Sequence, residues 1–256
     1  VRQSQMSPRQ RADQTLVARG LFESRAKAQE AIEAGLVTAD GVVVRKASEG
    51  IASSAKIVAQ KAHPWVSRGG VKLAFALDHF GIGVEGRDCM DVGASTGGFS
   101  QVLLSRRAHH VTAVDVGHGQ LHPKLQRDPR LLSLEGLDIR DVNPDDLPYG
   151  PSVIAMDVSF IPLTVALPAA LALAVVPDNA RAYAVILIKP QFEAGRKHVG
   201  RGGLIKDAEI HAMVCEQTAE FVLSLGWEVD GIVPSPIPGG EGNIEFLLAA
   251  HLGQNC

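Results

Sequence analysis

Four short apolar runs, at residues 89–92, 110–114, 153–156 and 182–188, are separated by stretches of helix length. Strands that alternate with helices pair in parallel through crossover helices, and the outcome is a doubly wound sheet. The tail breaks this rhythm. Apolar runs at 227–233 and 244–249 flank a Pro- and Gly-rich segment, which predicts an antiparallel finish. The expected fold class is therefore α/β, a Rossmann-like, mostly parallel sheet with an antiparallel last strand.

A different pattern precedes that sheet. Residues 12–18 and 24–34 read as two helices, with Ser24 as the N-cap of the second and Gly35 as its stop. Ala28, Ile32 and Leu36 recur on one face. Asp40-Gly41 between two β-prone runs is a strong hairpin signal. These features predict a small α+β module over residues 1–62, a linker at 63–66 around His63-Pro64-Trp65-Val66, and the α/β domain over 67–256. The linker tryptophan is expected to pack between the modules.

Charge separates the two parts. Residues 1–72 hold 12 Lys and Arg against 6 Asp and Glu, whereas the remainder holds 13 against 22. A basic module on an acidic domain predicts a polyanionic partner for the front end. The candidates for such contacts are Arg11, Arg25, Lys27 and Lys46, with Arg68 beside the linker.

Other classes are disfavoured. Hydrophobic residues make up 46% of the chain and charged residues 21%, enough apolar material for a core. A membrane span needs about 20 consecutive apolar residues. The best stretch, 165–176, is shorter and contains Pro168, so it reads as a buried helix. The first ten residues are polar and lack the apolar centre of a secretory signal. Cys89, Cys215 and Cys256 are far apart and in no metal-ligand spacing. A cytoplasmic protein with neither disulfide nor metal is expected.

The strongest local signal is Asp91-Val92-Gly93-Ala94-Ser95-Thr96-Gly97-Gly98, a strand running into a glycine-rich turn and then a helix. Glycines let the backbone approach a ligand closely. The dinucleotide fingerprint Gly-x-Gly-x-x-Gly is absent. Asp91 with Gly93-x-x-x-Gly97-Gly98 instead resembles the first motif of methyltransferases that use S-adenosylmethionine. The next strand ends at Asp115, where a carboxylate can accept hydrogen bonds from ribose hydroxyls. Asp138 occupies the place where such enzymes contact the adenine amino group.

Lys72, Asp157, Lys189 and Glu245 adjoin the apolar runs, and ligands bind at the carboxyl ends of strands in such sheets. Asp157 and Lys189 are thus expected to face one crevice. In this order the four resemble the tetrad of ribose 2′-O-methyltransferases of the FtsJ type. Together with Trp65-Val66-Ser67-Arg68-Gly69-Gly70, Ile188-Lys189-Pro190-Gln191-Phe192-Glu193 and Gly242-Asn243-Ile244-Glu245, the whole chain resembles the TlyA family. Members of that family have been called haemolysins and act as ribosomal RNA 2′-O-methyltransferases. Their N-terminal module is the alpha-L type shared with ribosomal protein S-four.

The resemblance implies S-adenosylmethionine as cofactor and ribosomal RNA or ribosomal subunits as partner. It implies Lys189 as general base, Lys72 as its helper, and Asp157 and Glu245 as orienting groups, with Asp157 also beside the cofactor. Glu241 competes with Glu245, which the Gly-Asn-x-Glu match favours. Two other readings stand against this one. A membrane-active haemolysin would want a spanning or amphipathic cationic segment, and a ribosome-binding protein without catalysis would not need the tetrad.

Overall fold

The computed structural model describes residues 9–176, 178, 180–239 and 242–253. The chain divides into two compact units between Pro64 and Trp65.

The first unit contains β1 (Arg9–Arg11), α1 (Ala12–Ala18), α2 (Arg25–Glu33), β2 (Val37–Ala39), β3 (Val42–Val43), β4 (Gly50–Ala52) and β5 (Ile57–Ala59). Ser24 Oγ accepts from the Lys27 backbone N–H at 3.3 Å and caps α2. Asp40 and Gly41 have φ of 51° and 82°, the left-handed pair that a two-residue hairpin turn requires. β1 pairs with β4, and β5 joins the hairpin to make a three-stranded sheet. β1, β4 and β5 carry no signal in the sequence, because three residues are too few to display an alternation. Leu16, Phe22, Ala28, Ile32 and Val37 fill the core.

A fully buried carboxylate organises the basic face of this unit. Asp13 accepts from Arg11 Nε at 3.0 Å, Arg25 Nη2 at 2.8 Å, Gln29 Nε2 at 3.0 Å and the Gln14 backbone N–H at 2.9 Å. These donors, Arg11 foremost, hold the Asp13 carboxyl well below the usual carboxylate range. A depressed folded value means that the stabilisation is present above the unfolded value and disappears as pH falls. Asp13→Asn is expected to destabilise the protein by about 2 kcal/mol at neutral pH. The gap from wild type should close as urea melts are repeated below about pH 4. A gap independent of pH would mean that charge is not what Asp13 contributes.

The second unit contains α3 (Gly69–His79), β6 (Asp88–Val92), α4 (Gly98–Ser105), β7 (His110–Asp115), β8 (Leu131–Glu135), β9 (Val153–Met156), α5 (Leu163–Ala172), β10 (Ala182–Ile188), α6 (Pro190–Glu193), α7 (Ala208–Ser224), β11 (Glu228–Pro234) and β12 (Phe246–Leu252). Its seven-stranded sheet has the order β11-β12-β10-β9-β6-β7-β8. The pairs from β10 through β8 are parallel, and β12 is antiparallel to both its neighbours. This is the expected mixed α/β sheet. One strand, β8, is additional: it lies at the edge and is only partly buried, so its sequence lacks a continuous apolar run.

Apolar clusters cover both faces of the sheet. The stretch around Pro168 is the helix α5, with Leu163, Ala166, Leu167, Ala170 and Leu171 buried. Among the described residues no helix is long and apolar enough to cross a membrane. Cys89 and Cys215 are unbridged, and Cys256 lies outside the described residues. Strand order reverses between β6 and β9, where loops part to opposite sides and leave a crevice at the strand carboxyl ends.

Candidate active site

The crevice is a cleft of about 310 Å³ bordered by Gly93, Ser95, Asp115, Gln120, Asp138 and Asp157, among others. Its floor is the glycine loop between β6 and α4. Gly93, Ser95 and Gly97 all have positive φ, which turns the backbone sharply out of the strand. A Cβ at Gly93 would lie 2.4 Å from the Asp157 carbonyl oxygen, so the loop and the end of β9 touch through bare backbone. Ala94, Thr96, Gly97 and Gly98 shape the turn rather than line the cleft. A Cβ at Gly98 would strike Ser67 Oγ, and Trp65 lies against Gly70 of its own unit.

Asp91 does not face the cleft. It is fully buried, and its Oδ2 accepts from Ser100 Oγ at 2.6 Å and the Ser100 backbone N–H at 2.8 Å. Burial, opposed by these bonds, raises its carboxyl to about 7. Asp91 therefore acts through Ser100, tying the first turn of α4 to β6. Nothing in the sequence spacing tells a cleft-facing acid from a buried one.

Asp115 does line the cleft. It accepts from the Ser95 and Gly117 backbone N–H groups, both at 2.7 Å. Gln120, in a loop without a sequence motif, reaches the same place, and Ser95 Oγ donates to its Oε1 at 3.1 Å. The loop carrying Gln120 is anchored by Glu135, which accepts from Gly119 N–H at 2.7 Å and from the N–H groups of Gln120 and Leu121 at 3.3 Å. Asp138 also borders the cleft, next to Leu137, whose N–H is bonded to Asp115 O at 3.1 Å, and it grips Arg140 Nε at 2.9 Å and Nη2 at 2.7 Å.

The four charged residues fall into two ion pairs. Lys189 Nζ lies 2.5 Å from Asp157 Oδ1, a close pair that is not aligned as a hydrogen bond. The same ammonium donates to Ser159 Oγ at 2.7 Å. Lys72 is hydrogen-bonded to Glu245, with both groups buried. Strand register explains the gathering. Ile186 is opposite Met156 and Ile188 opposite Phe246, so Asp157 and Lys189, which follow the ends of β9 and β10, lie at the same sheet edge as Glu245, which precedes the start of antiparallel β12. Lys72 is on the buried face of α3 with Leu73, Ala76 and Leu77, where an ammonium needs a partner. Glu241 lies outside the described residues.

Two aromatic side chains mark the mouth. Phe160 is 90% exposed at a φ of 65°, and its ring centroid is 5.1 Å from that of Phe192. A bulky residue in the left-handed region that exposes its whole ring is held there at a cost. The Lys189 ammonium is 5.9 Å from the Phe192 centroid. Ser159 and Phe160 come two and three residues after Asp157, and closeness to a strand-end acid is the sequence signal that marks them.

On the first unit, Arg11 and Arg25 share Asp13 but keep about half of their side chains exposed. Lys27 is largely covered by its ion pair with Glu30 at 3.0 Å. Lys46 is exposed, and Arg68 is the half-buried N-cap of α3 in the second unit. Among the described residues no three His, Cys, Asp or Glu side chains are grouped to hold a metal ion.

Residues 65–252 match the FtsJ-like methyltransferase family, and residues 10–57 match the S4 domain. The chain is 42% identical over 245 residues to the 16S/23S rRNA (cytidine-2′-O)-methyltransferase TlyA of Mycobacterium tuberculosis, spanning 95% of this chain and 90% of that one. It is 40% identical over 241 residues to hemolysin A of Brachyspira hyodysenteriae, spanning 93% and 98%. A solved structure from Streptococcus thermophilus matches with a TM-score of 0.75 at 40% identity, over 97% of this chain and 90% of that one.

Proposed function

The chain belongs to the TlyA group of FtsJ-like methyltransferases with an N-terminal S4 domain, and from that premise we propose that it methylates the ribose 2′-hydroxyl of cytidine in ribosomal RNA, using S-adenosylmethionine. The observation that carries this reading is the pair Lys189–Asp157 at the edge of a nucleoside-sized cleft. A cytoplasmic location, where ribosomal RNA is found, goes with it.

The residues present fit S-adenosylmethionine. Gly93 bares the backbone at the cleft floor, and Asp115 offers carboxylate lone pairs to the ribose hydroxyls. Asp138 has acceptor capacity left for the adenine amino group, since each oxygen carries two lone pairs. Ser95 and Gln120 close the side, while Asp91, Ala94, Thr96, Gly97 and Gly98 keep the loop in shape. When bound, the cofactor supplies a methyl group already activated by its sulfonium charge.

The chain's own residues handle the hydroxyl. A ribose 2′-OH is a poor nucleophile and must lose its proton during attack, and Lys189 Nζ is the group that takes it. Only the free amine can do so, its own proton having gone to bulk water, and Asp157 keeps that amine oriented. Ser159 fixes the amine from the other side. Lys72, braced by Glu245, holds the hydroxyl oxygen. The exposed Phe160 ring offers a flat face to the target base.

The test is incubation with methyl-labelled cofactor and separate unmethylated small and large ribosomal subunits. Label in a cytidine ribose, absent with Lys189→Ala, is the expected result. No label on either subunit, with cofactor binding intact, would overturn the reading. The S4 unit is proposed to grip RNA through phosphates, using Arg11, Arg25, Lys27 and Lys46, with Arg68 near the active site. Removing residues 1–64 is expected to weaken RNA affinity by about 10²-fold at physiological salt and to flatten its salt dependence. Cofactor affinity should stay within about two-fold, which calorimetry would check. Equal RNA affinity without the unit would remove it from RNA capture.

A further inference from the structure

Two segments leave adjacent parallel strands and run past Lys189 together, residues 157–163 after β9 and 189–193 after β10. Their contacts come in order. Lys189 meets Asp157 and Ser159, Phe160 meets Phe192, and Leu163 meets Glu193. The last contact differs in kind: the Leu163 backbone N–H donates to both carboxylate oxygens of Glu193, at 3.1 and 3.2 Å.

Leu163 is the first residue of α5, and the residue before it is Pro162, which has no side-chain acceptor to cap the helix. Leu163 is buried, so water does not readily replace the partner. Resting on the functional reading above, we propose that Glu193 is a positioning residue for Lys189, capping α5 from a neighbouring segment and thereby fixing the Asp157–Ser159 loop against the catalytic amine. A carboxylate suits that place, because the first turn of a helix presents unpaired N–H groups and favours negative charge. The loop between Asp157 and Leu163 is poorly self-supporting: it carries Phe160, 90% exposed at positive φ. Burial lifts the Glu193 carboxyl to about 7, and the bond from the Leu163 N–H opposes that rise by favouring the carboxylate.

The experiment compares wild type with Glu193→Gln, Glu193→Leu and Glu193→Asp. It reads acetylation of Lys189 by acetic anhydride, with exposed Lys46 as the internal standard, alongside kcat, KM and melting temperature. Glu193→Leu removes the acceptor and should raise relative Lys189 labelling about five-fold, the equivalent of one hydrogen bond of about 1 kcal/mol. It should lower kcat by a similar factor and leave KM for ribosomal subunits unchanged. Glu193→Gln keeps an acceptor oxygen and should stay near wild type. Glu193→Asp keeps the charge but falls short of Leu163, so it should follow Glu193→Leu and carries the test where the leucine variant fails to fold.

Unchanged labelling in a folded Glu193→Leu or Glu193→Asp protein would overturn the proposal. So would equal effects of Gln and Leu. A wild type without turnover would count against the functional reading alone, because the labelling still decides the role of Glu193.

Discussion

Lys189→Ala is expected to lower methyl transfer by about 10²–10⁴-fold, the usual contribution of a positioned general base. Cofactor affinity should hold or rise. Removing the ammonium leaves Asp157 without its counter-ion at the cleft edge, and the cofactor itself is cationic. Lys189→Arg separates two explanations. Arginine keeps the positive charge and the ion pair with Asp157, but it stays protonated at any working pH. If Lys189 is the base, Arg should be as inactive as Ala. An Arg variant with most of the wild-type rate would make Lys189 a fixed charge, and some other group would have to take the proton. Single-turnover rates on excess enzyme, with cofactor binding measured separately, distinguish these outcomes.

The legible part of this fold is the part with continuous burial. β9 and β10 are covered on both faces, so each reads as an unbroken apolar run. β8 is half-exposed at the sheet edge, and β1, β4 and β5 have three residues each, too few for a pattern to accumulate. The site divides the same way. Asp157 and Lys189 announce themselves as charges ending apolar strands. Lys72 and Glu245 are 173 positions apart, and only the packing of α3 against β10 and β12 brings them within reach of each other. Composition shows a basic first unit but not its buried centre, Asp13, because nothing distinguishes that acid from the five others in the same stretch until the chain folds around it. Glycine spacing predicts the loop at Gly93, but not the Asp157 backbone against which it presses.

That contact sets the second large effect, expected of Gly93→Ala. Gly93 has a φ of 81°, which costs an L-residue about 1–2 kcal/mol. The added Cβ would stand 2.4 Å from the Asp157 carbonyl oxygen, 2.9 Å from its carbon and 3.3 Å from Val158 Cα. All three are backbone atoms, so no rotamer change relieves the overlap. The loop cannot retreat cheaply either: the Gly93 N–H is bonded to Val114 O at 2.8 Å, and the Asp157 N–H to Val92 O at 2.9 Å. The end of β9 must shift instead, and it carries Asp157 away from Lys189 and out of line with the cleft. Adding overpacking of about 1–3 kcal/mol to the backbone term gives a loss near 3 kcal/mol, or about 10²-fold in cofactor affinity. Gly97→Ala is the control. It has a similar φ of 90°, but its Cβ would meet the tips of the Leu125 and Leu121 side chains, which can turn aside. Titration of each variant with S-adenosylhomocysteine should therefore rank Gly93→Ala well below Gly97→Ala. If Gly93→Ala binds within about three-fold of wild type, a difference of less than 1 kcal/mol, the cofactor does not approach the chain at this loop.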